Sequence, residues 1–344
     1  MTLRRGVLCV GSVIVDFGKV VDVYPSLDHL ATIEEVSVST GGPSLNMAVD
    51  LRQLGADFPV SLIGAVGEDD HGAYILSECT RLGIDTGGLL RLGGVATAFT
   101  DAMVERDSGR RTFFVHNGAN GLFDAAEADI EGSGARILHA GAPGLHATLD
   151  ADGGSGWVSL LQRAQAAGMH TNMELVDLNP VLQAELSAPC LPLLDSIVIN
   201  EIEAGSLTGM VAQVPDADGE VDWAMLETMA LRLIERGVST LSVVHFPAGC
   251  VAADGNGRIW RQGSVLVPRD QIRSTTGAGD AFAAGVIFGL HEGWPVERCL
   301  RLGAAAAGAC IADSHTSAGI KAAAVCLSDA ETVGFRGAGD HDKS

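Results

Sequence analysis

The sequence predicts an α/β fold: a mostly parallel β-sheet covered by helices on both faces, with a small separate β-sheet beside it. Three observations carry this expectation. From about residue 135 onward, apolar runs of strand length alternate with segments of helical spacing, the pattern of parallel strands joined by crossover helices. The chain begins the same way, with an apolar run over 7–15 and a helix-spaced segment after Gly41-Gly42-Pro43. Two β-rich stretches, roughly 17–40 and 95–117, break the rhythm and are able to pair with each other.

In chain order, the apolar run 7–15 reads as one buried strand ending in Asp16. Pro43 suits a first helical turn, and Ala48, Leu51 and Leu54 sit at helical spacing, so 44–54 is a helix. A strand over 60–66 and a helix over 71–82 follow. Residues 97–104 and 111–115 flank Asp107-Ser108-Gly109, a hairpin with a Gly turn. Strands are expected at 137–140, 171–175, 196–199 and 240–244, helices at 157–167 and 223–235, and two closing helices at 278–292 and 296–312. No internal repeat is present.

Composition narrows the possible functions. At 344 residues with 47% hydrophobic and 19% charged residues, the chain is globular and long enough for a full core. Its 44 glycines, about 13% against a usual ~7%, show no three-residue period and point to close backbone approaches. Asp and Glu number 43 against 22 Lys and Arg, a formal charge of −21, which suits neither nucleic acid nor an anionic membrane surface. No apolar run reaches the ~18 residues of a membrane span. The apolar start is short and lacks a cleavage site, so no signal peptide is expected. Seven scattered cysteines without a CxxC pair argue against a disulfide framework or zinc site, and a reduced, cytoplasmic protein is expected.

Four segments carry candidate chemistry. Ser274-Thr275-Thr276-Gly277-Ala278-Gly279-Asp280 runs into an apolar helix. Its glycines admit a ligand to the backbone, and the helix start offers unpaired N–H groups and the positive end of a dipole, a site for phosphate oxygens. Asp280, in the first turn, is placed to take a proton from a hydroxyl, or merely to complement the dipole. The tetrapeptide recurs as Gly337-Ala338-Gly339-Asp340, but no helix follows, and that copy is assigned no function. Gly41-Gly42 opens a floor before a helix whose first turn carries Asn46, an amide that both donates and accepts, as a polyol requires; an ordinary helix entry reads the same way. Asp16 at the end of the first strand faces the crevice where open α/β sheets bind ligands, or simply terminates the strand. Asn200 and Glu203 share one face of a starting helix, where they suit the waters around Mg²⁺ or an acid-rich helix start.

In their order and contexts these segments resemble the ribokinase-like, or PfkB, family of carbohydrate kinases. The resemblance runs to about residue 328 and includes Gly67-Glu68-Asp69-Asp70-His71-Gly72. It implies a three-layer αβα sandwich with a mostly parallel central sheet and a small β-sheet lid over the sugar, often part of a dimer interface. The main domain would be 1–16, 41–94 and 118–330, the lid 17–40 and 95–117, and 331–344 a disordered tail. By the same resemblance Asp280 is the catalytic base and the backbone of Gly277, Ala278, Gly279 and Asp280 the anion hole. Asp16, Gly41, Gly42, Asn46 and His116 bind the substrate. Asn200, Glu203, Thr276 and Gly249 serve nucleotide and phosphate, with Glu203 holding Mg²⁺ through water. The implied reaction is transfer of the γ-phosphoryl of ATP, with Mg²⁺, to a hydroxymethyl of a carbohydrate or polyol. Ser274 stands where the family has Asp near a monovalent cation, and a neutral hydroxyl is a weaker ligand. Val244-His245-Phe246-Pro247-Ala248-Gly249 keeps only the last glycine of the usual nucleotide loop. Pro43 stands where ribokinase has Lys. A nucleoside kinase of the same fold and a non-catalytic sugar or nucleotide sensor remain the alternatives.

Overall fold

The computed structural model describes residues 4–212, 214, 221–313 and 317–338. The elements run β1 (Val7–Gly11), β2 (Ile14–Val21), β3 (Ile33–Gly41), α1 (Pro43–Gln53), β4 (Val60–Gly67), α2 (Asp70–Leu82), β5 (Asp85–Leu92), β6 (Phe99–Glu105), β7 (Arg111–His116) and α3 (Gly118–Leu122). The chain continues through β8 (Ile137–Gly141), α4 (Ala147–Ala166), β9 (His170–Met173), α5 (Pro180–Ser187), β10 (Ser196–Asn200), α6 (Glu201–Thr208) and α7 (Trp223–Glu235). It closes with β11 (Leu241–Phe246), β12 (Gly249–Asp254), β13 (Ile259–Gly263), α8 (Ala278–His291), α9 (Val296–Ile311) and α10 (Ala323–Val333).

Nine strands form the large sheet in the order β13-β12-β11-β10-β9-β8-β1-β4-β5, and β3-β2-β6-β7 form a second, four-stranded sheet. The large sheet is parallel from β5 to β11, with two antiparallel strands at the β13 edge. Strand alternation explains its two covers. Val7 and Cys9 of β1 pack into a core with α1, α2, α8, α9 and α10, while Leu8 and Val10 enter the opposite core with α3, α4, α6 and α7. The expected three-layer architecture is therefore present. All seven cysteines are buried, and none forms a disulfide. Among the described residues no helix is long and apolar enough to cross a membrane.

The run 7–15 is not one strand. The chain leaves the large sheet after Gly11, crosses at Ser12-Val13 and enters the small sheet at Ile14, so Asp16 belongs to the lid. Gly11 marks the break: its φ is +130°, and a Cβ there would lie 2.1 Å from the Gly141 carbonyl oxygen. Apolar residues on both sides hide this crossing from periodicity. A second tether sits at Thr97, just before β6. Asp69 caps α2 through the Gly72 N–H (2.9 Å) and also accepts from the Thr97 hydroxyl (2.6 Å) and N–H (2.8 Å).

Other elements depart from expectation in ways the sequence could not separate. The helix expected at 157–167 begins at Ala147, broken by non-helical backbone over Ala151–Gly154. The strand β5 carries two glycines and alternates poorly, and β12 and β13 add an antiparallel edge that the parallel rhythm did not announce. The tail expected to be disordered from 331 starts inside α10; Phe335 then bridges Val265, and the Leu266 N–H donates to the Gly334 carbonyl (2.9 Å). Gly339 and Asp340 of the second tetrapeptide lie outside the described residues.

The longest helix–helix contact is glycine-mediated. A Cβ on Gly285 of α8 would meet the Gly303 N and Cα of α9 at 2.7 Å, backbone that has no rotamer to yield. Gly285→Val is therefore expected to lower unfolding free energy by about 1–3 kcal/mol, the usual cost of overpacking, measured by urea denaturation.

Candidate active site

The loop 274–277 and the start of α8 form the centre of the site. Gly277 caps α8 in the left-handed region (φ +78°) and contributes no side-chain cap. The Ala278 N–H reaches the Thr275 carbonyl at a long 3.4 Å, and regular helical pairing begins at Ala281, whose N–H donates to Gly277 O at 2.9 Å. The amides of Gly279 and Asp280 lie between, at the positive end of the helix. The ring of His245 at the end of β11 lies beneath Gly279, whose added Cβ would stand 3.2 Å from its Cε1. Burial pushes His245 down to about 4, so the ring is neutral.

A glycine floor is built against this helix. Gly41 ends β3 with the Asp16 carboxylate pressed on it; a Cβ would lie 2.1 Å from Oδ2. Gly42, at φ +88°, would bring a Cβ 2.7 Å from the Ser12 carbonyl. Pro43 then starts α1, and Asn46 emerges from its first turn with Nδ2 donating to Asp280 Oδ2 at 2.5 Å. Asn46 Oδ1 is buried and has no protein partner, an acceptor left for a ligand hydroxyl. Asp16 accepts from the Thr100 hydroxyl, yet burial and the nearby Asp280 push it up to about 6.

Three further carboxyls converge on Asp280, and sequence reading missed two of them. Glu174 follows β9 and hydrogen-bonds Asp280; burial, with Asp280, Glu203 and Asp50 nearby, holds it protonated well above the usual range. Its Oε2 lies 3.3 Å from His139 Nε2. His139 Nδ1 meets Asn172 Oδ1 at 2.8 Å, while Asn172 Nδ2 donates to Ser196. That arrangement assigns the ring proton to Nδ1 and leaves Nε2 unprotonated and without a hydrogen-bond partner. Asp50 of α1 is likewise pushed up by burial, with a Ser317 hydrogen bond opposing. The signal for Glu174 was an acid inside the strand expected at 171–175, which in the structure ends at Met173.

Asn200 and Glu203 come together as a capping box on α6. Asn200 Oδ1 accepts from the Ile202 and Glu203 N–H groups (2.9 and 2.8 Å), and Glu203 Oε2 accepts from the Asn200 N–H (3.0 Å). Burial pushes Glu203 up to about 7, with Asp280 among the contributing charges. Among the described residues no three His, Cys, Asp or Glu side chains form a metal-ligand cluster.

Two cavities meet here. One of about 420 Å³ lies between the lid and the loop, lined by Asp16, Ser37, Ser39, Arg111, Phe113 and Thr276 among others. The other, about 400 Å³, runs past Asn200, His245, Phe246, Pro247, Gly249 and Gly279. Thr275 lines both. Gly249 also backs onto β13, where a Cβ would lie 2.3 Å from the Gln262 carbonyl. Ser274 Oγ accepts from the Thr276 N–H (3.1 Å), so its hydroxyl is engaged within the loop.

His116 packs within the lid, away from Asp16. Its register partner is Phe99, whereas Asp16 pairs with Thr100, so the two residues lie on opposite faces of the lid. His116 stacks on Phe99 (5.2 Å, 18°), and Phe99 packs in turn with Phe17 and His71. Arg111, by contrast, was read only as a strand residue. Its Nη2 donates to the Thr275 hydroxyl (2.6 Å) and its Nη1 to that of Thr276.

A family model described as pfkB family carbohydrate kinase matches residues 4–323. A ribokinase of Haemophilus influenzae is 26% identical over 311 residues, 89% of this chain and 92% of that protein. The fold matches the structure of Arabidopsis thaliana ribokinase complexed with ribose and ATP at a TM-score of 0.76, with 21% identity over 95% of this chain and 98% of the other. It also matches a nucleoside kinase of Methanocaldococcus jannaschii at a TM-score of 0.73, with 18% identity over 95% and 98% of the two chains. With the glycine, amide and carboxylate framework on α1, α6 and α8 wholly inside one matched span, this chain belongs to the pfkB family of carbohydrate kinases.

Proposed function

We propose that the chain transfers the γ-phosphoryl group of ATP to a hydroxymethyl group of a sugar or related polyol. The observation that carries this reading is the Asp280 carboxylate in the first turn of α8, held by Asn46 of the acceptor floor and adjoining the amides of the helix start. In the reaction the acceptor oxygen bonds phosphorus while the bond to the ADP oxygen breaks, and Asp280 takes the hydroxyl proton. Asp16 and the open Asn46 Oδ1 grip hydroxyls of the acceptor. The amides at 277–280 face the charge on the phosphoryl oxygens. Glu203, with Asn200, would hold Mg²⁺ through water; when bound, the ion neutralises phosphate charge that this acidic chain otherwise repels. Closure of the β2-β3-β6-β7 lid excludes water from the transfer.

The Asn46–Asp280 pair weighs against a non-catalytic sensor, and the nucleoside kinase neighbour shares the fold without specifying the acceptor. Val36, Val38 and Phe114 are exposed on the lid, a surface suited to a second copy of the chain. An ADP-release screen over sugars, sugar acids, polyols and nucleosides, with and without K⁺, tests the reading; turnover confined to nucleosides would replace it.

Two outcomes follow on the acceptor that the screen identifies. Asp280→Asn lowers kcat by about 10²–10⁴, the range of a general base, and a loss under about tenfold removes Asp280 from that role. Asp16 titrates at about 6, above its ordinary 3.8, so it is ionised above that pH and gains a proton below it. Acceptor kcat/KM at saturating ATP should therefore fall as pH drops through about 6, and Asp16→Asn should remove that limb.

A further inference from the structure

We propose that Arg336, on the segment that follows α10, selects the phosphoryl donor: it closes the nucleoside end of the second cavity and donates hydrogen bonds to acceptor atoms of the donor's base or ribose. This rests on the kinase reading above. It gives a residue beyond the family-matched span, which ends at 323, a part in choosing the nucleotide.

Residues after the last helix of a domain fray unless something ties them down. Here the segment from Gly334 to Ala338 is tied along its length. The Leu266 N–H donates to the Gly334 carbonyl (2.9 Å), Phe335 bridges Val265, and the Arg336 N–H donates to the Ser264 carbonyl (2.8 Å). The Arg301 guanidinium lies 4.7 Å from the centre of the Phe335 ring, and Arg261 Nη1 donates to the Ala338 carbonyl at 3.4 Å. A Cβ on Gly263 would collide with the Arg336 carbonyl, so the end of β13 leaves room for this segment and for nothing larger.

What the segment reaches is the cavity of about 400 Å³, which Arg336 lines. The two ends of that cavity differ. Thr275, Ala278 and Gly279 line it from the loop and the helix start, where the phosphates of a donor would sit. Val265, Val267, Ala304, Ala307 and Gly308 line it elsewhere, and a Cβ on Gly308 would lie 3.0 Å from Val265. These small apolar walls suit a flat base. Arg336, joined through its N–H to Ser264 beside Val265, belongs with that end. Among the described residues that line the cavity, Glu201 and Arg336 alone are charged, since His245 is neutral. The turn between β11 and β12 offers a polar edge little. Phe246 packs into the core against the Trp223 ring (5.3 Å), Pro247 has no N–H, and the Ala248 carbonyl already accepts from the Ser264 N–H (3.0 Å). Arg336 supplies donors where this turn does not. A guanidinium carries five N–H donors and no acceptor, so it seeks oxygens and ring nitrogens with lone pairs, which base and ribose both present. Arg336 takes no part in bond making: it changes affinity for the donor and leaves the transfer step alone.

The test titrates the full chain with ADP and with inorganic pyrophosphate, which lacks the nucleoside. For Arg336→Ala we expect affinity for ADP to fall about tenfold or more, the worth of a hydrogen bond from a charged donor, while affinity for pyrophosphate moves less than about twofold. KM for ATP should rise in step, with kcat at saturating ATP within about twofold of wild type. Arg336→Lys, which keeps the charge but not the fork, should lose part of the ADP affinity and none of the pyrophosphate affinity, and it supplies the reading should Arg336→Ala not fold. Dideoxy-ADP locates the contact: a loss on Arg336→Ala that persists with it assigns the base, and one that vanishes assigns the ribose. Equal losses for ADP and pyrophosphate make Arg336 a general attractor of anions, and unchanged ADP affinity makes it an anchor of the segment alone; either overturns the proposal. So does a fall in kcat at saturating ATP with ADP affinity intact. A wild-type chain that turns over no acceptor, yet loses ADP affinity alone on Arg336→Ala, upholds the role of Arg336 and sinks the kinase reading instead.

Discussion

The site is organised by a conflict between its own charge and the charge of what it is built to receive. Asp16, Asp50, Glu174, Glu203 and Asp280 crowd the start of α8, and Asp280 raises the pKa of each of the other four. Left ionised, that group would repel a nucleotide. The fold answers in two ways. Burial keeps Glu174 and Asp50 protonated, so much of the formal charge is absent where it would be most costly. The open amides of α8 and the guanidinium of Arg111 supply positive potential without adding a lysine-rich pocket that the −21 chain does not possess.

What could be read in advance follows from where the information lies. The segments around Asn46 and Asp280 were legible because glycines, a helix start and a polar residue at a fixed offset are local features. Their direct contact across 234 residues was not, since it depends on α1 and α8 packing on the same face of the sheet. Asp16 was identified as a ligand residue but placed in the wrong sheet, because a crossing at Ser12-Val13 between two apolar strands leaves no mark in hydrophobic pattern. For His116 the substrate and lid-packing readings differ by one step of strand parity, which decides the face of the lid that a side chain joins. Arg111 has no local signature at all; a lone arginine after a Gly turn is ordinary until its strand is seen to reach the α8 loop.

Asn200 and Glu203 show that a structural and a functional reading need not compete. Their capping box fixes the start of α6 and at the same time locks a buried carboxyl at the carboxyl end of β10, beside the nucleotide cavity. The hydrogen bond from the Asn200 N–H opposes the rise that burial imposes on Glu203, so the cap itself tunes how much negative charge this carboxyl carries.

The two crossings between sheets have a mechanical meaning. Strands β2 and β3 leave the main body side by side, at Ser12-Val13 and at Gly41-Gly42, and Gly42 bears on the Ser12 carbonyl. Any swing of the lid would pivot there. On the proposed kinase reading the same glycines are the ground on which an acceptor would rest, so hinge and footing are one piece of backbone, and a bound acceptor would load the pivot directly.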